Sequence, residues 1–417
     1  MNTERLNQDE QLRNTPGENP LENMPSFEEH MQNMEKVPKL TGEDGKTLEG
    51  ISKKLGFDKL DDILSHSVRL GEVQETVNES LGDAFDGLRK RAGDDPKTIA
   101  VCKEVCDHVK KLGKDGKIGA DVAKVWLNPS LLLPPIGTSA AAEIYDAVEE
   151  RQGDRMSEEQ QTIINETLLK MAKRYPKENI EVQGNFGLSP VIDENSILKQ
   201  KVGFIHFNSR KQGSGVDMRC YIALNPDKKD QALKAWYESV AESDAKDSLY
   251  YKVGIQDEHI DDIVIYRSDA VADDALKKAL ELFSEKSAAD GLVADDETIP
   301  TGRKIAAGIA IAPEIRYANK YLKATEARKY SYNQFVARMM ELSACIATTR
   351  MENGQIRYAK DYDGVRTGKM HSTKNRDFRR EMRGAFREFM MLAKINPDTM
   401  LPIEYGDSLP KWAQLEK

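Results

Sequence analysis

Polar residues that could transfer protons stand inside apolar, strand-like segments between residues 201 and 268. His206 lies in FIHFN, Tyr221 in RCYIAL and Lys252 in YYKVGIQ. Imidazole changes its protonation near neutral pH, and a desolvated lysine amine can act as a general base. Burying such groups costs free energy unless they are hydrogen-bonded or paired, so each one needs either a partner or a function. The stretch is therefore the candidate site of the chain.

The alternation of side chains along a strand decides which of these residues could meet. Lys252 is expected on the same face as Tyr250 and Gly254. Two ordinary interpretations stay open. Lys252 could reach from a strand end to an acid such as Asp257, and His206 could be a hydrogen-bonded sheet histidine without a catalytic role.

Arginines in the later strands and helices could hold an anion. Arg267 follows the apolar run DIVIY, Arg303 precedes another apolar run, and Arg338 lies in a predicted helix. Guanidinium groups that converge on one cleft form a fork for phosphate or carboxylate. The sequence alone leaves open whether they converge.

The order of these motifs resembles a known family. It resembles the phosphothreonine lyases delivered by type III secretion, the OspF and SpvC group. The elements that carry the resemblance are, in order, an FIH strand, a polar loop, a basic-aromatic strand, a helix, a lysine strand about thirty residues after the aromatic and an apolar strand ending in Tyr. The pattern is still more similar to the HopA-class effectors, whose lyase-like domain also occurs in class V lanthipeptide synthetases. The resemblance covers roughly residues 195 to 350.

The resemblance implies β-elimination of phosphate from phospho-Ser or phospho-Thr. Lys252 matches the lysine base, and His206 is the histidine in a preceding strand that could match the acid. The family's spacing instead places the acid at about Tyr221, so both candidates are kept. Arg267, Arg303 and Arg338 are the candidates for holding phosphate, because no arginine follows the lysine closely and residues 256 to 262 are acidic.

Composition limits the class of protein. The 417 residues are 39% hydrophobic, and 70 acidic against 61 basic residues give a formal charge of −9. This excess argues against general nucleic-acid binding. The six histidines and four cysteines show no HExxH or paired-cysteine pattern, so neither a metal site nor a cofactor is expected. No apolar run is long enough to span a membrane.

Four regions are predicted along the chain, within an α+β fold. Residues 1–48 read as a disordered leader that could serve as a secretion signal, and 49–176 as a helical region that could bind a chaperone. Residues 177–350 are expected to form a mixed or antiparallel sheet flanked by helices, resembling the phosphothreonine lyase fold. Residues 351–417 read as a basic helical extension, with a helix from about Arg376 to Ile395.

Two functions follow from these patterns. The first is a secreted effector with lyase-like chemistry on a host protein, made in the bacterial cytoplasm and exported. The second is a noncatalytic effector that uses the same scaffold to bind a host protein. Contact of the basic C-terminal helix with an anionic membrane surface is a weaker alternative to a solvated face.

Overall fold

A computed structural model describes residues 46–56, 59–60, 63–64, 77–132, 140–151, 156–184, 187–190, 203–211, 216–255, 259–294, 298–314, 331–352 and 376–415. The leader predicted over 1–48 lies almost wholly outside these ranges. Asp257 also lies outside them, so its suggested contact with Lys252 stays a prediction.

The described helices are α1 Lys46–Leu55, α2 Leu81–Ala92, α3 Pro96–Lys114, α4 Ala120–Trp126, α5 Pro129–Leu132, α6 Ala140–Glu149, α7 Glu158–Ala172, α8 Lys229–Glu242, α9 Asp273–Asp290, α10 Tyr332–Glu352 and α11 Arg376–Leu392. Local sequence sets several of their ends. Ser157 and Gln160 form a capping box at the start of α7, and Asp95 with Pro96 starts α3. Gly291 ends α9 in a left-handed conformation.

The strands are β1 Ile180–Gly184, β2 Gly187–Pro190, β3 Phe204–Phe207, β4 Met218–Ile222, β5 Tyr250–Gly254, β6 Ile263–Arg267, β7 Arg303–Ala306, β8 Ile309–Pro313, β9 Ile395–Asn396 and β10 Leu401–Pro402. The first eight form one sheet in the order β2-β1-β3-β5-β6-β4-β8-β7, and every neighbouring pair is antiparallel. The predicted α+β class with a helix-flanked sheet is confirmed.

Residues 304–311, which read as one apolar strand in the sequence, form a tight hairpin instead. Gly308 has φ +62°, and a Cβ there would lie 2.7 Å from Val293 Cβ and 2.8 Å from the Ala223 carbonyl oxygen. Only glycine fits this turn without displacing its neighbours. The chain therefore folds back, and β7 pairs with β8 at one edge of the sheet.

The two faces of the sheet are buried against different helices. One face is apolar, with Phe207, Tyr251 and Ile265 packed among residues of α7, α8 and α9. The other face carries Tyr221 and Tyr250 and packs in the same cluster as residues of α2, α3, α6, α10 and α11. The central strands are thus enclosed on both sides. The predicted boundaries near residues 176 and 350 stay predictions.

A buried ion cluster joins three helices. Arg350 of α10 donates to Asp121 of α4 through Nη2 at 2.8 Å and to Glu388 of α11 at 3.1 Å, and its Nη1 lies 3.5 Å from Glu381. The Arg350 side chain is 4% exposed. Three carboxylates surround one buried guanidinium, and Glu381 also pairs with Arg380. Removing Arg350 would therefore take its counter-charge mainly from Asp121 and Glu388.

Arg350→Leu is expected to destabilise the protein by about 3–5 kcal/mol, because Asp121 and Glu388 would stay buried without a counter-charge. Urea unfolding followed by circular dichroism measures this loss. The matched control is Arg89→Leu, which removes a more exposed pair with Asp86 at 3.5 Å and should cost less than about 1 kcal/mol. Similar losses for the two variants would contradict the assignment.

Candidate functional site

Register places the predicted lysine and histidine side by side. Four residues form one row across neighbouring strands, each directly opposite the next: His206 of β3, Lys252 of β5, Val264 of β6 and Tyr221 of β4. Side chains in one row across a sheet point to the same face. Lys252, His206 and Tyr221 therefore share the face of the sheet that packs against α6 and α10, which we call the polar face.

His206 is buried and hydrogen-bonded at both ring nitrogens. Nε2 lies 2.9 Å from Gln183 Oε1 and Nδ1 lies 2.7 Å from Tyr250 Oη. Because the Gln183 oxygen can only accept, Nε2–H donates to it and Nδ1 accepts from the Tyr250 hydroxyl. Burial, then the charge of Lys252, lowers the pKa of His206 from 6.5 to about 3. His206 is thus neutral near pH 7.

An aromatic column continues from Tyr250 along the polar face. The rings of Tyr250 and Tyr266 stack with centroids 4.5 Å apart, and the Arg219 guanidinium lies 5.0 Å from the Tyr266 centroid. Arg219 also donates to both carboxylate oxygens of Glu314, with Nη2 at 2.7 Å from Oε1. These contacts fix Tyr250 in position beneath His206.

Lys252 is half-buried between an aromatic ring and two acids. Its Nζ lies 3.5 Å from the centroid of Phe204, and Phe204 stacks on His259 at 6.4 Å. The Lys252 charge lowers the pKa values of Glu149 and Asp261 against the larger effect of burial. The ammonium is therefore electrostatically coupled to both carboxylates.

Glu149, His259 and Asp261 form a buried cluster next to Lys252. One donor atom from each residue lies within 4.8 Å of the others. Burial, then the charge of Asp261, raises the pKa of Glu149 to about 8, and burial also raises the pKa of Asp261. Asn333 of α10 donates from Nδ2 to Glu149 Oε1 at 2.8 Å. The cluster thus joins α6, α10 and the segment before β6.

Tyr221 places a phenol on the polar face without a hydrogen-bond partner. Its side chain is 2% exposed, and its Oη has no partner among the described residues. Burial raises the pKa of Tyr221, and the charge of Arg219 opposes this rise. The hydroxyl is therefore protonated near neutral pH and able to donate.

Each of the three predicted anion-binding arginines has protein partners. Arg267 binds Asp217 at 2.9 Å and Asp273 at 3.1 Å. Arg338 is buried, donates from Nε to the Leu131 carbonyl at 3.0 Å and pairs with Glu341. Arg303 of the edge strand β7 donates to the carbonyl of Asp407 at 3.2 Å. No contact described here joins them to Lys252.

Sequence patterns missed the contribution of α6. Glu149 lies 103 positions before Lys252 and ends an amphipathic helix, where an acid is unremarkable. The acidic run after β5 did mark Asp261, although only as a charge unfavourable to phosphate, and it contains His259. A hydrogen bond from Ile260 N to the Glu149 carbonyl at 2.9 Å joins the end of α6 to the segment before β6, and no local sequence pattern predicts such a contact.

Comparison with known proteins finds similarity in structure. No family model and no curated protein matches the chain. An effector protein from Pseudomonas syringae pv. syringae strain 61 is 14% identical with a TM-score of 0.36. One from P. syringae pv. tomato strain DC3000 is 16% identical with a TM-score of 0.30. Each alignment covers 50% of this chain and 86% of the other. Among the described residues, no helix has the length and apolar character to cross a membrane.

The stability contributed by neutral His206 should decrease as the pH is lowered. The unfolded chain binds a proton near pH 6.5 and the folded one only near pH 3, so the unfolded state holds more protons in this window. The free energy of unfolding of the wild type, relative to His206→Gln, should decrease by up to about 1.4 kcal/mol per pH unit as the pH falls below 6.5.

Urea titrations of both proteins at a series of pH values from neutral to acidic measure this difference. Other titrating groups are common to the two proteins and cancel in the subtraction. A difference that stays constant over the whole window would show that His206 is not held neutral.

Proposed function

We propose that this protein is a secreted effector that eliminates phosphate from phospho-Ser or phospho-Thr residues of a host protein, with Lys252 as the base. The observation that carries the proposal is the position of Lys252 on the polar face, directly opposite buried His206 and coupled to Glu149 and Asp261. Titratable groups gathered at an enclosed sheet face are characteristic of catalytic sites.

In the proposed reaction the unprotonated Lys252 amine takes the α-proton of the substrate residue. The electrons of the Cα–H bond form a Cα=Cβ double bond, and the Cβ–O bond breaks with its electrons on the leaving phosphate. A proton from an acid on the enzyme joins the phosphate oxygen. The products are a dehydroamino acid and inorganic phosphate, so no cofactor is consumed.

Tyr221 fits the role of acid better than His206 does. His206 carries no ionisable proton near neutral pH, and both of its nitrogens are occupied. Tyr221 keeps its proton and has no protein partner for its Oη among the described residues. We therefore assign Tyr221 as the proton donor and His206 as the positioning residue for Tyr250.

Binding of the phosphate is the step with the least support from the described contacts. To hold an anion, Arg267 would have to leave Asp217 and Asp273, and Arg338 would have to leave Glu341. Arg303 would have to exchange its contact with the Asp407 carbonyl. In the proposal, Lys252 becomes a cation only after it takes the α-proton, so one of these arginines has to exchange its present partner for the phosphate.

Lys252→Ala is expected to lower the rate of phosphopeptide elimination by roughly 10²-fold or more, because the base is lost. Tyr221→Phe should lower the rate in the same direction without destabilising the fold, since its hydroxyl has no partner. Mass spectrometry of a phosphothreonine peptide shows the loss of the elements of phosphoric acid, and a phosphate assay gives the rate.

The matched control is Lys234→Ala, which removes a solvent-exposed lysine paired with Asp230 on α8. It should leave the rate unchanged. Phosphopeptides that persist with the folded wild-type protein, or elimination that continues undiminished in Lys252→Ala, would refute the catalytic proposal.

A second candidate function is noncatalytic binding of a host protein. The observation that favours it is the pairing of arginines of the sheet with acids: Arg219 is held by Glu314, and Arg267 by two aspartates. Guanidinium groups paired in this way are not available to phosphate, so the scaffold suits a protein partner better than a phosphate.

Delivery of Lys252→Ala to host cells separates the two functions. Under noncatalytic binding the host response should equal that of the wild type, because the scaffold is intact. Loss of the response with a folded variant would count against this candidate and favour catalysis. In either case we assign export to residues 1–48 and chaperone binding to the helical region 49–176.

A further inference from the structure

We infer that Glu149, His259 and Asp261 form a binding site for one divalent transition-metal cation, of the Mn²⁺ or Zn²⁺ type. This inference goes beyond the proposed elimination, which requires no metal. It concerns the buried cluster between α6 and the start of β6.

Backbone contacts hold the three ligands in place before any cation binds. Ile260 donates its N–H to the Glu149 carbonyl at 2.9 Å, and Glu150 pairs with His259 as an antiparallel bridge. These contacts lock the end of α6 to the segment that carries the histidine and the aspartate. The cluster is the single group of this kind within the described ranges of the chain.

The spacing of the donor atoms suits coordination after small side-chain rotations. All three lie within 4.8 Å of one another. Ligands at about 2.0–2.2 Å from a tetrahedral metal are about 3.3 Å apart. The donors therefore need to close by roughly 1.5 Å at most, which carboxylate and imidazole torsions can supply.

Two buried atoms of the cluster have no protein partner. Asp261 is 4% exposed, and its Oδ1 makes no hydrogen bond. His259 Nδ1 is likewise buried without a partner. A buried polar atom without a partner is destabilising and needs a physical explanation. A cation coordinated by these two atoms would satisfy both.

The third ligand, Glu149, is held by hydrogen bonds from neighbouring side chains, as metal-binding carboxylates commonly are. Asn333 Nδ2 donates to Glu149 Oε1 at 2.8 Å, and Thr301 Oγ1 donates to Asn333 Oδ1 at 2.5 Å. Tyr145 also hydrogen-bonds to the Glu149 carboxylate, so two side chains orient this ligand. Partners of this kind hold metal ligands in position and affect affinity by about 10–100-fold.

The donor set selects the class of cation. One imidazole nitrogen and two carboxylates suit Mn²⁺ or Zn²⁺, whereas Mg²⁺ and Ca²⁺ prefer oxygen ligands alone. The ammonium of Lys252 acts on the same two carboxylates and would repel a bound cation. Removing this charge should therefore strengthen binding, an effect that a purely structural lysine would not produce.

Titration of the full chain with Mn²⁺, followed by the electron paramagnetic resonance signal of the free ion, tests the inference. The wild type should take up one equivalent. Asp261→Asn and Glu149→Gln should each bind at least about tenfold more weakly, and Lys252→Met should bind more tightly. Zn²⁺ in calorimetry should give the same ranking, and Mg²⁺ should bind far more weakly.

Glu150→Gln is the matched control, because it removes an exposed carboxylate next to Glu149 that lies outside the cluster. It should bind Mn²⁺ as the wild type does. Circular dichroism and urea unfolding identify any variant that fails to fold, and the two ligand variants provide independent tests.

Absence of Mn²⁺ and Zn²⁺ binding by the wild type up to about 1 mM would overturn the site. Equal weakening by Glu150→Gln and Asp261→Asn would also overturn it, because binding would then be a general surface effect. The measurement of Mn²⁺ binding does not depend on catalysis. If the protein binds Mn²⁺ but leaves phosphopeptides intact, the metal site is supported and the proposed elimination is refuted.

Discussion

The buried carboxylate of Asp262 joins the elements on which the candidate site depends. Its Oδ2 accepts from the backbone N–H of Leu224 at 2.7 Å and from Arg151 Nη2 at 2.5 Å, and its Oδ1 lies 2.7 Å from Lys229 Nζ. The Asp262 and Lys229 side chains are both 0% exposed. A charge at such depth is tolerated only with close partners, so the geometry around it is tightly constrained.

Each partner of Asp262 belongs to a different part of the site. Leu224 follows β4, which carries Tyr221, and Arg151 follows the helix that ends at Glu149. Asp262 itself precedes β6 and directly follows Asp261. Arg151 also donates from Nη1 to the Leu224 carbonyl at 3.0 Å, which closes the connection between these segments. The cluster of Glu149, His259 and Asp261 can therefore form only where these elements meet.

Sequence patterns predicted the sheet better than the site. Alternation in YYKVGIQ and FIHFN placed Lys252 and His206 on strands, and the antiparallel register then set them opposite each other. The hairpin at Gly308 was missed because a run of alanine, isoleucine and glycine reads as one strand. Glu149 was missed because its role depends on a contact between distant segments. The convergence of Arg267, Arg303 and Arg338 stays a prediction, since each position depends on partners that local sequence does not specify.

The charge of the cluster determines what can approach Lys252. When both are ionised, Glu149 and Asp261 outweigh a single ammonium, so at pH values above the Glu149 pKa of about 8 a phosphate would meet a negative field. A divalent cation between the two carboxylates would reverse the sign of that field without moving the sheet. Arg219 of the polar face is already paired with Glu314, so a cation in the cluster would add positive charge on the face that carries Lys252. The cation site and the proposed elimination can be tested separately, yet this balance of charge gives a physical reason for them to occur together.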